Sequence, residues 1–237
     1  YGVIDLTTLI AKSSNVGASK LALSLEAETL GDLFRRVGLG QATGTGFPGE
    51  SVGMLPVRQR WRPIEVATLS YGYGLSVTAV QLAQAYAVLG SGGIKRPVSL
   101  LKVEGEVPGE RVMEEQYARD VVRMMEEVVG EHGTARKAIV PGYRVAGKTG
   151  TVHKVSTSGY EDHQYLGLFA GVAPADNPRV AMVVVIDDPK GEAYYGGLVA
   201  APVFSRIMAG ILRVKNIPPT KTVDNFVDLA KKDAPET

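Results

Sequence analysis

The chain of 237 residues has no cysteine, only one tryptophan and no long apolar segment. Without cysteine it cannot use a catalytic thiol, a thiolate zinc site or a disulfide. The longest uninterrupted apolar stretch, residues 180–186, is far shorter than the roughly 20 residues that cross a bilayer. The sequence therefore predicts neither a signal peptide nor a membrane-spanning helix.

The chain also lacks an excess of charge of either sign. There are 26 Lys and Arg residues against 25 Asp and Glu residues, for a formal net charge of +1. Such a balance gives no electrostatic reason to expect a nucleic-acid partner. Arg58, Arg60 and Arg62 around Trp61 are interpreted as a local basic loop. With 45% hydrophobic residues, the composition is that of an ordinary globular protein.

The first residue is Tyr1 rather than methionine, and the residues after it resemble the interior of a structured region. We therefore expect the chain to be a fragment whose N-terminal part is missing. Within it, we predict one domain over residues 1–215 and a tail over 216–237, which contains three prolines and a charged end.

Hydrophobic periodicity predicts helices first and strands later. Apolar residues at three- and four-residue spacing predict helices over 6–10, 18–25, 29–37, 79–90, 117–128 and 198–212. Apolar, β-branched runs predict strands over 97–103, 143–148, 166–172 and 179–186, with connections over 151–164 and 174–178. Residues 41–63 fit neither period and predict a long loop. The order indicates an α+β fold with an antiparallel sheet flanked by helices.

One lysine fits two chemistries. Residues 142–149 match the phosphate-loop pattern G-x-x-x-x-G-K-[ST], and Asp187 follows an apolar strand as a magnesium-binding carboxylate would. A phosphate loop needs a helix directly behind it, whereas Gly150 and the residues up to Gly159 carry no helical pattern. A nucleotide-hydrolysing enzyme is therefore kept only as an alternative.

The second interpretation makes Lys148 and the three residues after it one side of a binding cleft. Gly147 and Gly150 would let a ligand backbone approach the strand. Lys148 would supply a positive charge, while the Thr149 and Thr151 hydroxyls would bind a carboxylate. The Thr151 N–H could also contribute to an oxyanion hole.

Another motif precedes this one at the start of the chain. Ser13-Ser14-Asn15 lies between two predicted helices, where such a cluster is commonly a helix cap. Its serine could relay a proton and its asparagine could hold a substrate amide. Active-site serine enzymes of the penicillin-binding class carry S-x-x-K, S-x-N and K-[ST]-G motifs in this chain order.

The sequence resembles the transpeptidase domain of class B penicillin-binding proteins of the division-specific type, which has a serine β-lactamase-like fold. The resemblance extends over most of the chain. Its segments are residues 11–17, 63–74, 145–151, 169–174 and 194–204.

The resemblance implies roles for individual residues. Ser13, Asn15 and Lys148 would be catalytic: Ser13 relays a proton, Asn15 contacts the peptide amide of the acyl donor, and Lys148 holds Ser13 and sets the local potential. Thr149, Gly150 and Thr151 would bind the terminal carboxylate of a stem peptide or β-lactam. The aromatic pairs Tyr71 with Tyr73 and Tyr194 with Tyr195 would wall the cleft. His153 would either touch ligand carboxylates or be a solvated loop histidine.

The family's S-x-x-K nucleophile lies N-terminal to S-x-N, where this chain has no such motif. The one match, Ser99 to Lys102, follows a proline and comes after S-x-N, so we reject it. We therefore expect the chain alone to be catalytically inactive.

The resemblance implies a peptidoglycan D,D-transpeptidase of septal wall synthesis that is inhibited by β-lactams and needs no metal or cofactor. It further implies an inner-membrane anchor, a periplasmic catalytic domain and a glycosyltransferase partner of the FtsW type. A penicillin-sensing domain without catalysis stays open as a second alternative. His153, Asp162 and His163 have no spacing typical of a metal site.

Overall fold

The structure is a computed structural model that describes residues 2–58, 60–156, 159–191 and 193–220, without the side chains of 155–163. Residues 221–237 of the predicted tail lie outside the described residues. The chain divides into two compact units between Met124 and Met125.

The first unit is mainly helical. A short antiparallel hairpin follows its fifth helix, and the helix α6 contains the division between the units. The elements are α1 (Leu6–Ala11), α2 (Asn15–Leu23), α3 (Thr29–Arg36), α4 (Pro63–Leu69), α5 (Ala79–Gly90), β1 (Ile94–Lys95), β2 (Glu110–Arg111) and α6 (Glu115–Val129).

Side chains cap the helix starts where the sequence predicts them. Ser14 caps α2, because its Oγ accepts the N–H of Gly17 at 3.1 Å. Thr78 and Gln81 form a capping box at α5, with reciprocal side-chain contacts of 3.1 and 2.9 Å. The predicted start of α5 is therefore confirmed.

The long loop predicted over 41–63 is observed over 41–62, where the described residues form no helix or strand, and Pro63 begins α4. Two contacts fix this loop within the first unit. Gln81 is fully buried, and its Nε2 donates to the carbonyl oxygens of Gln41 and Val52 at 2.6 and 2.9 Å. Met54 and Ser76 exchange backbone hydrogen bonds of 2.7 and 2.8 Å.

The second unit contains an antiparallel sheet of three strands in the order β3-β4-β5. The strands are β3 (Ala146–Ser156), β4 (Gly159–Ala173) and β5 (Val180–Asp187), followed by helices α7 (Gly196–Val199) and α8 (Ala201–Val214). Phe169 of β4 and Phe204 of α8 are fully buried and meet edge to face at 4.7 Å. Burial of two aromatic rings is a large hydrophobic contribution to this unit.

The predicted connection over 151–164 is wrong in its described part. β3 continues through Thr151 to Ser156 and pairs with β4, with an irregularity between His153 and Val155. β-branched residues such as Thr151 and Val152, which are exposed, suit a strand even where polar residues alternate with them. The predicted hairpin between β4 and β5 is confirmed.

The predicted strand over 97–103 is also wrong. The Ser99 Oγ donates to the Leu101 carbonyl at 2.8 Å and accepts the Leu101 N–H at 3.1 Å. This local pair of hydrogen bonds competes with strand pairing, and the segment is irregular. The predicted helix over 198–212 is observed as α7 and α8, which are divided at Ala200.

Among the described residues, no helix is both long enough and apolar enough to cross a membrane.

Candidate active site

Residues Lys148 to Thr151 lie within β3, an edge strand of the three-stranded sheet of the second unit. Lys148 is opposite Ala170 and Thr151 is opposite Gly167. A phosphate loop would need this lysine in a turn at the start of a helix. The lysine is instead in the middle of a strand, so the nucleotide-binding alternative is not supported.

Burial sets the chemistry of Lys148. The residue is half-buried, and the desolvation of its amine lowers the pKa of Lys148 to about 8. Its Nζ donates to the carbonyl oxygen of Thr149 at 3.1 Å and lies 3.4 Å from the Thr149 Oγ1. At neutral pH the amine is mostly charged, yet it can lose its proton far more readily than an exposed lysine.

The two threonine hydroxyls of this strand are held by distant residues. The Thr149 Oγ1 lies 3.0 Å from the Thr134 Oγ1. The Thr151 Oγ1 accepts the N–H of Gly196 at 3.1 Å. A hydroxyl that accepts such a bond can still donate its own proton. The geometry therefore leaves the Thr151 hydroxyl able to donate to a carboxylate.

The glycines of this region are required by contacts inside the protein. A Cβ on Gly147 would clash with the Phe169 ring, and one on Gly150 would lie 2.9 Å from the Leu168 side chain. The expectation that these two glycines make room for a ligand is therefore unnecessary, since packing within the sheet explains them.

Gly196 and Gly197 allow α7 to lie close to the sheet. A Cβ on Gly196 would clash with the carbonyl oxygens of Gly150 and Leu168, and one on Gly197 would clash with that of Thr134. The backbone of α7 thus contacts the same short strand that carries Lys148 and the threonines.

A stack of four rings lies in the second unit. His153 stacks on Tyr165 at 4.7 Å, Tyr165 on Tyr194 at 4.1 Å, and Tyr194 on Tyr195 at 4.4 Å between ring centroids. The Tyr194 hydroxyl donates to that of Tyr195 at 3.1 Å, and this bond raises the pKa of Tyr194. His153 is a half-buried strand residue, so its interpretation as a solvated loop histidine is wrong.

Tyr165 is not among the site residues that the sequence predicts. This residue lies in β4 directly opposite His153, so a correct prediction of the β3–β4 pairing would have found it. The error over residues 151–164 therefore also concealed a member of the ring stack.

The first motif lies in the first unit. Ser14 is the helix cap, as the simpler interpretation of the cluster predicts, whereas Ser13 and Asn15 are exposed on either side of it. Ser13 has a φ of 54°, which is unusual for a residue other than glycine. The cap and the left-handed turn together fix the position of Ser13 relative to the start of α2.

Tyr71 and Tyr73 also belong to the first unit, in the turn after α4. Their ring centroids are 5.7 Å apart and the rings meet edge to face, with an interplanar angle of 68°. Gly72 and Gly74 have φ values of 96° and 82°, which residues other than glycine rarely adopt. The predicted glycine-rich turn is therefore confirmed, while its role as a cleft wall stays a prediction.

Among the residues whose side chains are described, no group of three or more His, Asp or Glu residues could hold a metal ion. The side chains of Asp162 and His163, which were considered with His153 as ligands, lie outside that set.

An α+β architecture, a strand with Lys148 and two threonine hydroxyls, and a capped S-x-N turn are features typical of a penicillin-binding transpeptidase type of domain. The sequence profile described as penicillin binding protein transpeptidase domain matches residues 1–209, and the chain belongs to this family.

Particular relatives agree with this assignment. The chain is 53% identical over 219 residues to a protein named peptidoglycan D,D-transpeptidase FtsI of Escherichia coli (strain K12), covering 92% of the chain and 37% of the relative. It is 43% identical over 221 residues to the probable peptidoglycan D,D-transpeptidase PenA of Neisseria meningitidis, covering 93% of the chain and 38% of the relative. The chain thus spans less than two fifths of the length of these curated relatives.

A solved structure agrees as well. The apo transpeptidase domain of Burkholderia pseudomallei penicillin-binding protein 3 superposes with a TM-score of 0.89 at 42% identity, covering 94% of this chain and 68% of that one. The predicted resemblance and fold class are both confirmed.

Proposed function

We propose that the protein containing this chain is a peptidoglycan D,D-transpeptidase of septal wall synthesis. The observation that carries the proposal is the K-T-G-T strand, in which a desolvated lysine lies beside two oriented hydroxyls. The identity to proteins named as such transpeptidases supports it.

The proposed reaction proceeds through an acyl-serine. A serine Oγ attacks the carbonyl of the penultimate D-Ala of a stem peptide, the C–N bond breaks, and D-Ala leaves with a proton. An amine of a neighbouring stem then attacks the ester and frees the serine. β-Lactams acylate the same serine, and no step requires a metal or cofactor.

The nucleophile is not assigned to Ser99, the serine of the sequence's one S-x-x-K match. Ser99 is exposed on an irregular segment, and its hydroxyl is bonded within two residues of itself. The nucleophile of the family instead opens a helix.

The K-T-G-T strand suits recognition of the terminal carboxylate. The Lys148 charge attracts the carboxylate, and the Thr149 and Thr151 hydroxyls donate to it. β3 is an edge strand of the sheet that the described residues form, so alternate backbone N–H groups point away from β4, where we propose that a ligand pairs with them. Gly150, whose lack of a side chain is already required by packing against Leu168, lies between the two threonines, and the Thr151 N–H is the proposed oxyanion donor.

Ser13 and Asn15 take the proton-relay and amide-binding roles. Tyr71, Tyr73, Tyr194 and Tyr195 supply apolar walls, and His153 supports Tyr194 through Tyr165. The same proposal includes a periplasmic catalytic domain held by an inner-membrane anchor, and a division glycosyltransferase of the FtsW type as partner.

The test is acylation of the full-length protein by fluorescent penicillin, together with D-Ala release from a pentapeptide stem. Lys148→Ala should lower both by at least about 100-fold, the range of positioned acid–base and charge catalysis. Lys154→Ala is the matched control: Lys154 lies on the same strand and pairs with Asp187 at 2.9 Å, so activity should change less than about threefold.

If fluorescent penicillin labelled Lys148→Ala as fast as the wild-type protein, the assignment of Lys148 to the catalytic site would be refuted. Labelling without transfer to an acceptor amine would favour the penicillin-sensing alternative, and measurable Mg-ATP binding would favour the nucleotide one.

A further inference from the structure

Thr134 is exposed, but the backbone on either side of it is packed against the end of α6 in the second unit. Gly133 lies so close to the end of α6 that a Cβ there would clash with the Val128 carbonyl oxygen. Directly after Thr134, the Ala135 N–H donates to the same carbonyl at 2.8 Å. Ala135 and Val128 are both fully buried. The backbone on either side of Thr134 is therefore fixed.

This segment contacts the K-T-G-T strand and also α7. The Thr134 Oγ1 lies 3.0 Å from the Thr149 Oγ1, and the Thr134 carbonyl lies against Gly197 at the start of α7. A side chain that is 15 residues away in sequence thus reaches one of the two hydroxyls that are proposed to bind the ligand carboxylate.

The hydrogen-bonding capacity of a hydroxyl limits what this contact can do. Each hydroxyl donates once and accepts at two lone pairs, whereas an ionised carboxylate only accepts. If Thr149 donated to Thr134, it would have no proton left for a carboxylate. If Thr134 donates, the Thr149 oxygen accepts from Thr134 and lies near the Lys148 amine at 3.4 Å, and its proton is free to face the ligand.

We propose that Thr134 is a positioning residue that donates to Thr149 and so makes the Thr149 hydroxyl a donor to the ligand carboxylate. The inference rests on the proposed function. Thr134 donates a hydrogen bond to Thr149, and Thr149 donates one to the carboxylate. In such a series of hydrogen bonds each bond polarises the next. In this proposal Thr134 acts through Thr149.

The experiment compares two ligands on the full-length protein. Second-order acylation rate constants are measured for benzylpenicillin, which carries the carboxylate, and for its methyl ester, which does not. Thr134→Val should lower the rate constant of acylation by benzylpenicillin about tenfold, as expected for a weakened hydrogen bond to a charged group. It should change the rate constant of acylation by the methyl ester less than about twofold. Thr134→Ser keeps the hydroxyl and should stay within about twofold of wild type for both.

A double-mutant cycle tests the route of the effect. Once Thr149→Val has removed the hydroxyl, Thr134→Val should add almost nothing. An equal loss with both ligands, additive effects of the two substitutions, or failure of Thr134→Ser to restore the rate would overturn the inference. If Thr134→Val does not fold, as judged by its thermal transition, Thr134→Ala gives the same comparison.

The inference and the proposed function fail in different ways. If no variant and no wild-type protein is acylated, the proposed function is wrong. If Thr149→Val slows acylation by benzylpenicillin while Thr134→Val does not, only the inference is wrong.

Discussion

The two motifs of this chain obtain their geometry from different distances along the sequence. The S-x-N turn of the first unit is fixed by a contact of three residues' span, from Ser14 to Gly17. The K-T-G-T strand of the second unit is fixed by contacts that span 15 and 45 residues, at Thr149 and Thr151. The turn therefore depends on residues close to it in sequence, whereas the strand depends on contacts with distant parts of the second unit.

The S-x-N turn is also more exposed to solvent than the strands around the K-T-G-T motif. Ser13 and Asn15 are exposed, whereas β3 begins at fully buried Ala146 and pairs with a strand that contains fully buried Phe169. A helix cap can form with little tertiary support, but an edge strand keeps its shape only while the neighbouring strand and helices are in place. Substitutions away from the motif should therefore affect the second unit more than the first.

The largest expected effect is on the core under the K-T-G-T strand. Phe169→Ala should lower the free energy of unfolding by about 3–5 kcal/mol, because it leaves a cavity against Phe204. Urea denaturation measures the change. Leu21→Ala in α2, where the side chain is 46% exposed, is the matched control and should cost less than about 1.5 kcal/mol. If Phe169→Ala and Leu21→Ala lowered the free energy of unfolding equally, the proposed difference between the two units would be wrong.

The next effect is on pH dependence. Burial depresses the pKa of Lys148 to about 8, so between pH 8 and its unfolded value of 10.5 the unfolded chain binds more protons. Stability should therefore rise with pH across this window, by about 2–3 kcal/mol relative to Lys148→Met. Subtracting the variant's curve removes the contributions of other groups. A flat difference curve would mean that Lys148 is not desolvated in solution.

A smaller effect is expected at α7. Gly196→Ala places a Cβ against the carbonyl oxygens of Gly150 and Leu168, and overpacking of this kind costs about 1–3 kcal/mol. The melting temperature should fall. Gly210→Ala, in α8 with open space around its Cβ position, is the control and should not destabilise the protein. A neutral Gly196→Ala would show that α7 can move away from the sheet.

The smallest effect is expected at the S-x-N turn. Ser14→Ala removes the α2 cap and should cost about 1 kcal/mol, while Ser14→Asp keeps an acceptor and should cost less. Thermal unfolding measures both. A loss as large as that of Phe169→Ala would show that this turn depends on more than its local cap.

The same contrast explains what could be predicted from the sequence. The α5 capping box, the glycine turn at Gly72 and Gly74, and the β4–β5 hairpin follow from signals within a few residues, and all are observed. The sequence does not predict that β3 continues through Thr151, because polar, β-branched residues resemble a loop until the partner strand is known. Thr134 and Tyr165 have no local signal at all, since only strand pairing and the packing of Gly133 bring them to the motif.

Gln81 joins the long loop to a helix in a way that affects how the first unit opens. One buried amide closes the α5 cap through its oxygen and holds the carbonyls of Gln41 and Val52 through its nitrogen. Releasing the loop would leave buried donors without acceptors at the helix start, so the two segments should open together. In native-state hydrogen exchange, residues 41–55 and the first turn of α5 should therefore behave as a single cooperative unit, although one is irregular and the other is helical.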